Sequence, residues 1–303
     1  MLDTAPLPLS RLGAYELCRL LATGATSEIY EARRLGAFGF SRRVALKRIL
    51  PQLASDMQFV RMFCEEARLH AALDHPNLVA VIDFGEEHGE LFMAMEFVDG
   101  ISLAELMGVQ DRRRRVELPQ ALRIVREVLI GLQYVHEACD ESGKHLGLVH
   151  RDVAPSNVLL SRAGEVKLTD FGIVRSAAAE TRTLPGELKG RLGYVSPEQA
   201  MGARVDARSD LFSVGVLLAE MLIGRPLFSG FTELEVLTSL HAGDVRNLHV
   251  HGAHLPREVL AFLQCLLAQR PVERLASASA AVDMLDRISM CQAAVPANIE
   301  LSA

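Results

Sequence analysis

The sequence predicts an α+β chain of two unequal parts, a small mainly antiparallel sheet followed by a larger, mostly helical body. Three observations lead there. Short β-prone runs, separated by glycine-containing or polar breaks, fill the chain up to Gly100. One helical segment interrupts them. Beyond Gly100 the apolar residues recur at helical spacing, and one run, Leu211–Ile223, is apolar nearly all round.

The strands expected from alternation and β-branched content are Tyr15–Leu21, Glu28–Arg33, Arg42–Leu50, Leu78–Phe84 and Glu90–Phe97. The helix among them runs from about Asp56 to Leu73, with Phe59, Met62, Phe63 and Leu73 as its apolar residues. In the second part, Leu122, Val125, Leu129, Leu132 and His136 form a helical stripe, and Val259–Ala268 is amphipathic. Val158–Leu160 and Val166–Leu168 read as short buried strands joined by the turn Ser161-Arg162-Ala163-Gly164. The two parts meet at Glu96–Gly100, and clefts at such junctions are common ligand sites. Residues from Ser289 onward are weakly patterned and read as a frayed tail. The basic run Arg112–Arg115 reads as a solvated loop, with docking of an acidic partner as the alternative.

Composition excludes several classes. A net charge of −6, no tryptophan and only four tyrosines argue against a nucleic-acid binder built on stacking platforms. Leu211–Ile223 is broken by Ser213, Gly215 and Glu220 and falls short of the ~20 residues a bilayer requires. The N-terminus has neither a basic segment nor an apolar one of the secretory kind. The five cysteines are scattered without a CxxC spacing, as reduced structural thiols are. The expectation is a soluble, cytoplasmic protein with no nucleic-acid partner and no membrane insertion.

The chemistry concentrates in His150-Arg151-Asp152-Val153-Ala154-Pro155-Ser156-Asn157, followed by the two short strands and then Asp170-Phe171-Gly172. Val44-Ala45-Leu46-Lys47 lies upstream and Ser196-Pro197-Glu198 downstream. This ordered set resembles the eukaryotic-like protein kinase superfamily, and in particular its bacterial serine/threonine kinases. The resemblance covers nearly the whole chain. It implies the bilobal protein kinase fold over 13–288, with an N-lobe at 13–96, a hinge at 96–100, a C-lobe at 101–288 and a tail at 289–303. It also implies ATP with Mg²⁺, or Mn²⁺ in its place, as cofactors, and transfer of the γ-phosphoryl group to proteins. Protein substrates and an upstream regulatory protein are the partners to expect.

Phosphoryl transfer needs positioning and charge neutralisation more than covalent chemistry. By resemblance, Asp152 orients the acceptor hydroxyl and takes its proton, while Asn157 and Asp170 offer oxygens to the metal. The bland alternative for both aspartates is turn capping. Lys47 and Ala45 alternate onto one face of their strand, so a small residue admits the adenine while the ammonium reaches the phosphates. The acid partner of Lys47 has two adjacent candidates. Phe59, Met62, Phe63 and Glu66 share one helical stripe, and Glu65 points about 100° away, which selects Glu66. His70 continues the stripe and reads as a core histidine. Leu21, Ile29 and Ala45 are the implied roof of the adenine site and Leu159 its floor. Met95 precedes the hinge residues Glu96 and Val98, and Gly24 lies in the phosphate loop. Asp210 and Arg274 match scaffold positions, with Arg274 expected to pair with Glu198.

Two departures stand out. The family's GxGxxGxV becomes Ala22-Thr23-Gly24-Ala25-Thr26-Ser27-Glu28-Ile29, which implies weaker nucleotide affinity if Ala22 or Ser27 must take a positive φ, at about 1 kcal/mol. Ala154 replaces the lysine usual in serine/threonine kinases, and alanine there is common in tyrosine kinases. Arg191 replaces a threonine and could restore the missing positive charge. Arg151 implies control by a phosphate on the segment after Asp170, with Ser176, Thr181 and Thr183 as acceptors. The alternative to an active kinase is a nucleotide-binding pseudokinase acting as a scaffold; joint retention of Lys47, Glu66, Asp152, Asn157 and Asp170 favours activity.

Overall fold

The computed structural model describes residues 11–108, 114–171, 192–228, 230 and 232–288. The chain divides into two compact units. One holds the residues up to Asp74 together with Val79–Val98, the other His75–Leu78 together with everything from Asp99 onward.

The first unit is built on one antiparallel sheet of β1 (Arg11–Leu12), β2 (Tyr15–Thr23), β3 (Ser27–Leu35), β4 (Ser41–Ile49), β5 (Val81–Glu87) and β6 (Glu90–Glu96), in the order β1-β2-β3-β4-β6-β5. Directly paired residues project from the same face of a sheet. Tyr30 pairs with Leu46 and Leu46 with Ala94, so one face gathers Tyr30, Ala32, Val44, Leu46, Phe92 and Ala94, closed by Leu12, Tyr15 and Leu17. That face is a dry core. The other face carries Lys47. Helix α1 (Met57–Ala71) is capped by Asp56, which accepts from the Gln58 amide at 2.9 Å, and Phe63 on its inner side meets Phe84 of β5 at a ring distance of 5.8 Å.

One expected strand is misplaced. The run expected as Leu78–Phe84 becomes β5 at Val81–Glu87, because Leu78 is claimed by the second unit, where it bridges Leu168 in parallel. The Leu168 amide donates to the Asn77 carbonyl at 2.8 Å. A buried apolar run satisfies either sheet, and periodicity does not say which one takes it.

In the second unit, β7 (Gly100–Ser102), β8 (Val158–Ser161) and β9 (Val166–Leu168) form a small antiparallel sheet. Gly100 has no substitute there, since a Cβ would sit 1.8 Å from the Leu160 carbonyl oxygen. Among the described residues its helices are α2 (Leu103–Met107), α3 (Leu118–His136), α4 (Pro197–Ala200), α5 (Ala207–Ile223), α6 (Glu233–His241), α7 (Arg246–His251), α8 (Arg257–Leu266) and α9 (Ala278–Asp286). Every residue of α5 from Ser209 to Ile223 is buried, which accounts for a helix apolar on all sides. Gly215 lets α8 approach closely, as a Cβ would meet that of Leu266 at 2.8 Å. Among the described residues no helix is long and apolar enough to cross a membrane. Cys18, Cys64, Cys139 and Cys265 are free thiols; Cys291 lies outside the described residues.

Candidate active site

In the first unit, Lys47 of β4 stands opposite Ile29 of β3 and Met93 of β6, and Ala45 stands opposite Met95. Ile29, Ala45, Lys47 and Met95 therefore share one face of the sheet. The structure brings Lys47 and Glu66 together: Nζ lies 2.7 Å from Oε1, with side-chain exposures of 9% and 15%. Glu65, its neighbour in sequence, is exposed. A buried carboxylate is expensive without a cation or donors, so the pairing is what lets α1 place an acid on its inner face.

The glycine-poor loop closes as a hairpin between β2 and β3, with the Gly24 amide donating to the Ser27 carbonyl at 2.8 Å. Among the described residues with positive φ, neither Ala22 nor Ser27 appears, and Gly24 is not in the left-handed region either. The torsional cost that replacing glycine could have imposed is not incurred. Leu21 falls at a slip of register between Leu20 and Ala22 and stays 40% exposed. Met95 is buried, while Ile29, Ala45, Glu96 and Val98 are half-buried. The Glu96 amide donates to the Ala80 carbonyl at 2.8 Å, which holds the end of β6.

In the second unit, the segment His150–Asn157 hangs from one carboxylate. Asp210, in the first turn of α5, is fully buried. Its Oδ2 accepts from His136 Nε2 at 2.7 Å and from the His150 amide at 2.8 Å, and its Oδ1 accepts from the Arg151 amide at 2.8 Å. Burial works to raise the Asp210 pKa, but the His136 hydrogen bond and charge, with His150 and the Arg151 amide, more than offset it and hold the group below its ordinary value. His150 is also fully buried, and burial pushes its pKa down, so the ring is neutral. Its Nδ1 accepts from the Asp152 amide at 3.3 Å, which puts the ring proton on Nε2, and its face lies 4.6 Å from the Phe171 ring.

Arg151 has a φ of 65° and Asp170 one of 57°. Left-handed torsions in non-glycine residues cost about 1 kcal/mol or more and persist where surrounding contacts fix them. Here they flank the candidate chemistry. Asn157, buried in a short helical turn over Pro155–Asn157, donates from Nδ2 to both the Asp152 carbonyl at 2.9 Å and the Asp152 Oδ2 at 3.0 Å. The amide oxygen of Asn157 accepts from the Ser156 hydroxyl at 3.2 Å. The Thr169 amide donates to the Asn157 carbonyl at 3.0 Å, tying the loop to the residue before Asp170. Leu159, on β8, is half-buried. Asn157 and Asp170 carry an amide and a carboxylate oxygen, both hard donors of the kind a divalent cation would accept.

Around this loop, Glu198 of α4 pairs with Arg274, and the Tyr194 hydroxyl donates to the buried Glu220. Ser176, Thr181, Thr183 and Arg191 lie outside the described residues, as do Arg112 and Arg113 of the basic run and the tail at 289–303. The sequence reading did not single out Gln199, the Asp210 contact of His136, or the left-handed torsions. The first had a visible signal, since Ser196-Pro197-Glu198-Gln199 is a capping-box pattern. The torsions had none.

The protein kinase domain family matches residues 15–285. Tyrosine-protein kinase MasK of Myxococcus xanthus is 39% identical over 279 residues, covering 92% of this chain and 43% of that protein. Serine/threonine-protein kinase PknL of Mycobacterium tuberculosis is 37% identical over 260 residues, covering 86% of this chain and 62% of that protein. The chain therefore spans between 43% and 62% of the length of these two relatives. Among solved structures, the Mycobacterium tuberculosis PknI kinase domain superposes with a TM-score of 0.68 at 28% identity, over 93% of this chain and 99% of that one.

Proposed function

Because this chain belongs to the protein kinase family, we propose that it transfers the γ-phosphoryl group of ATP to serine and threonine hydroxyls of other proteins and of itself. The observation that carries the reading is the joint presence of the Lys47–Glu66 pair at 2.7 Å and the Asp152–Asn157 contact at 3.0 Å. A scaffold with no phosphoryl-transfer role has no need of both. The kinase domain is taken to run over 13–288, with lobes meeting at 96–100.

In this reading Glu66 holds the Lys47 ammonium on the α- and β-phosphates. Leu21, Ile29, Ala45 and Leu159 enclose the base, with Met95, Glu96 and Val98 at its edge and Gly24 over the phosphates. Asn157 and Asp170 would hold the divalent cation, Mg²⁺ by preference, whose charge would offset that of the phosphates. Asp152 orients the acceptor hydroxyl. As the hydroxyl oxygen bonds to the γ-phosphorus, the bond to the ADP oxygen breaks and the hydroxyl proton passes to the Asp152 carboxylate. Asn157 fixes the carboxylate by holding one of its oxygens. Arg151 and a phosphate on Ser176, Thr181 or Thr183 would regulate the loop, and Arg191 would supply the cation that Ala154 withdraws. The activity is placed in the cytoplasm, with protein substrates and an upstream regulatory protein as partners.

A tyrosine acceptor is the second reading. Ala154 favours it, together with the tyrosine-kinase name of the relative that is 39% identical. Incubation with γ-labelled ATP, Mg²⁺ and a generic acceptor, beside Asp152→Asn, tests both readings. Label absent from the variant and found on serine or threonine supports the first, and label on tyrosine supports the second. ATP binding without any transfer would overturn both.

A further inference from the structure

The residue before Asp152 is held in a strained torsion, and both of its backbone polar groups are pinned by side chains. The Arg151 amide donates to Asp210 Oδ1 at 2.8 Å, and the Arg151 carbonyl accepts from Gln199 Nε2 at 3.1 Å. These two side chains come from separate helices, α5 and α4. Gln199 uses both ends of its amide. Oε1 accepts from the Ser196 amide at 3.2 Å and the Ser196 hydroxyl at 3.0 Å, closing the cap of α4, and Nε2 points away to Arg151.

Capping alone does not call for glutamine. A glutamate at the same position of Ser-x-x-Glu closes the box equally well, and its charge suits a helix N-terminus. What glutamate lacks is a donor. The amide nitrogen is the part of Gln199 that the cap leaves over, and it meets the carbonyl of a residue whose φ of 65° needs outside support.

We propose that Gln199 is a positioning residue for Asp152, a strut that locks the Arg151 peptide and couples the segment Leu192–Ala200 to the candidate catalytic loop. Its kinetic consequence rests on the kinase reading above; its structural consequence does not. Loss of the strut frees the Arg151 carbonyl to relax out of the left-handed region, turning the following peptide and displacing the Asp152 carboxylate. Misplacement of a positioned group by about 1 Å costs on the order of 10- to 100-fold in rate.

The test uses the full chain as wild type, Gln199→Glu and Gln199→Met. Glutamate keeps the cap and removes the donor, while methionine removes both. Deuterium uptake at pH 7.5 in the peptide covering 148–157 is expected to rise several-fold in both variants, with α5 unchanged. In phosphoryl transfer, turnover is expected to fall about tenfold in both with the KM for ATP unchanged. As pH is lowered, the deficit of Gln199→Glu should narrow, because a protonated carboxyl can again donate to the Arg151 carbonyl. The deficit of Gln199→Met should stay constant. Uptake in 148–157 that matches wild type in both folded variants overturns the strut, whatever the activity. Raised uptake in a chain whose wild type transfers no phosphate keeps the strut and overturns the kinase reading instead.

Discussion

The Arg274 guanidinium grips Glu198 with two parallel bonds, Nη1 to Oε1 and Nη2 to Oε2, each 2.7 Å long, and both side chains are buried. The same guanidinium donates to the carbonyls of Arg208, Ala268 and Gln269 and lies 4.9 Å over the Phe212 ring. It therefore joins α4, the N-terminal turn of α5 and the chain after α8 at one point. Breaking a buried pair by removing one partner costs about 3–5 kcal/mol. Arg274→Met is expected to lower the unfolding free energy by that order, read by chemical denaturation, and Arg274→Lys by less. A loss under about 1 kcal/mol would show that the pair is dispensable.

That pair also sets a pH dependence. Burial works to raise the Glu198 pKa, but hydrogen bonds from Arg274 and Ser209 more than offset it and hold the carboxyl below its ordinary 4.5. The unfolded chain therefore binds more protons than the folded one in that range, so the stabilisation is present above pH 4.5 and is lost as pH falls through the folded value. In Arg274→Met the stability profile below pH 4.5 should be flatter than in wild type.

His150 acts at higher pH in the same direction. Burial holds its pKa below 6.5, so protonating the unfolded chain below pH 6.5 draws the equilibrium away from the fold. Wild type should lose stability between pH 7.5 and 5.5, measured by denaturant midpoint, and His150→Phe should lose less, since it keeps the ring beside Phe171 and removes the titration. An equal slope in both would assign the loss to another group.

Lys47 and Glu66 should behave as one unit. Lys47→Met is expected to reduce phosphoryl transfer by about 10²-fold or more, as removal of a charge-stabilising donor does. Glu66→Gln, which acts through the lysine, should cost less. The double variant should be no slower than Lys47→Met alone, because Glu66 has no role once the lysine is gone. Multiplicative losses in the rate assay would refute that dependence.

The turn between β3 and β4 offers a stabilising change. Phe38 has a φ of 55° and is fully exposed, so it carries torsional cost without burial to offset it. Asparagine tolerates that region better. Phe38→Asn should raise the thermal midpoint by the equivalent of about 0.5–1 kcal/mol and leave phosphoryl transfer unchanged.

Most of this was legible from residue order because the chemistry needs fixed side chains at fixed intervals, and strand and helix periods place them. The choice of Glu66 over Glu65 follows from helical spacing alone, and the structure sets Glu66 against Lys47 while Glu65 is exposed. The strand expected at Leu78–Phe84 begins instead at Val81, because Leu78 bridges Leu168 and the buried Val79 lies in no strand, a choice that burial alone does not reveal. The missing glycines of the phosphate loop imply a torsional cost, yet its backbone asks for no positive φ at Ala22 or Ser27. Arg151 and Asp170 illustrate the opposite limit. The Arg151 torsion is held by partners distant in sequence, Asp210 and Gln199, and nothing in the local residues announces either torsion.

Asp210 stands on a helix buried from Ser209 to Ile223, and the loop carrying Asp152 takes its shape from that anchor. A helix that is both keystone and jig makes durability and turnover a single heritable trait. Changes that repack Ser209–Ile223 should therefore move the placement of Asp152 together with the stability of the fold, whereas changes at the exposed Phe38 should leave that placement alone.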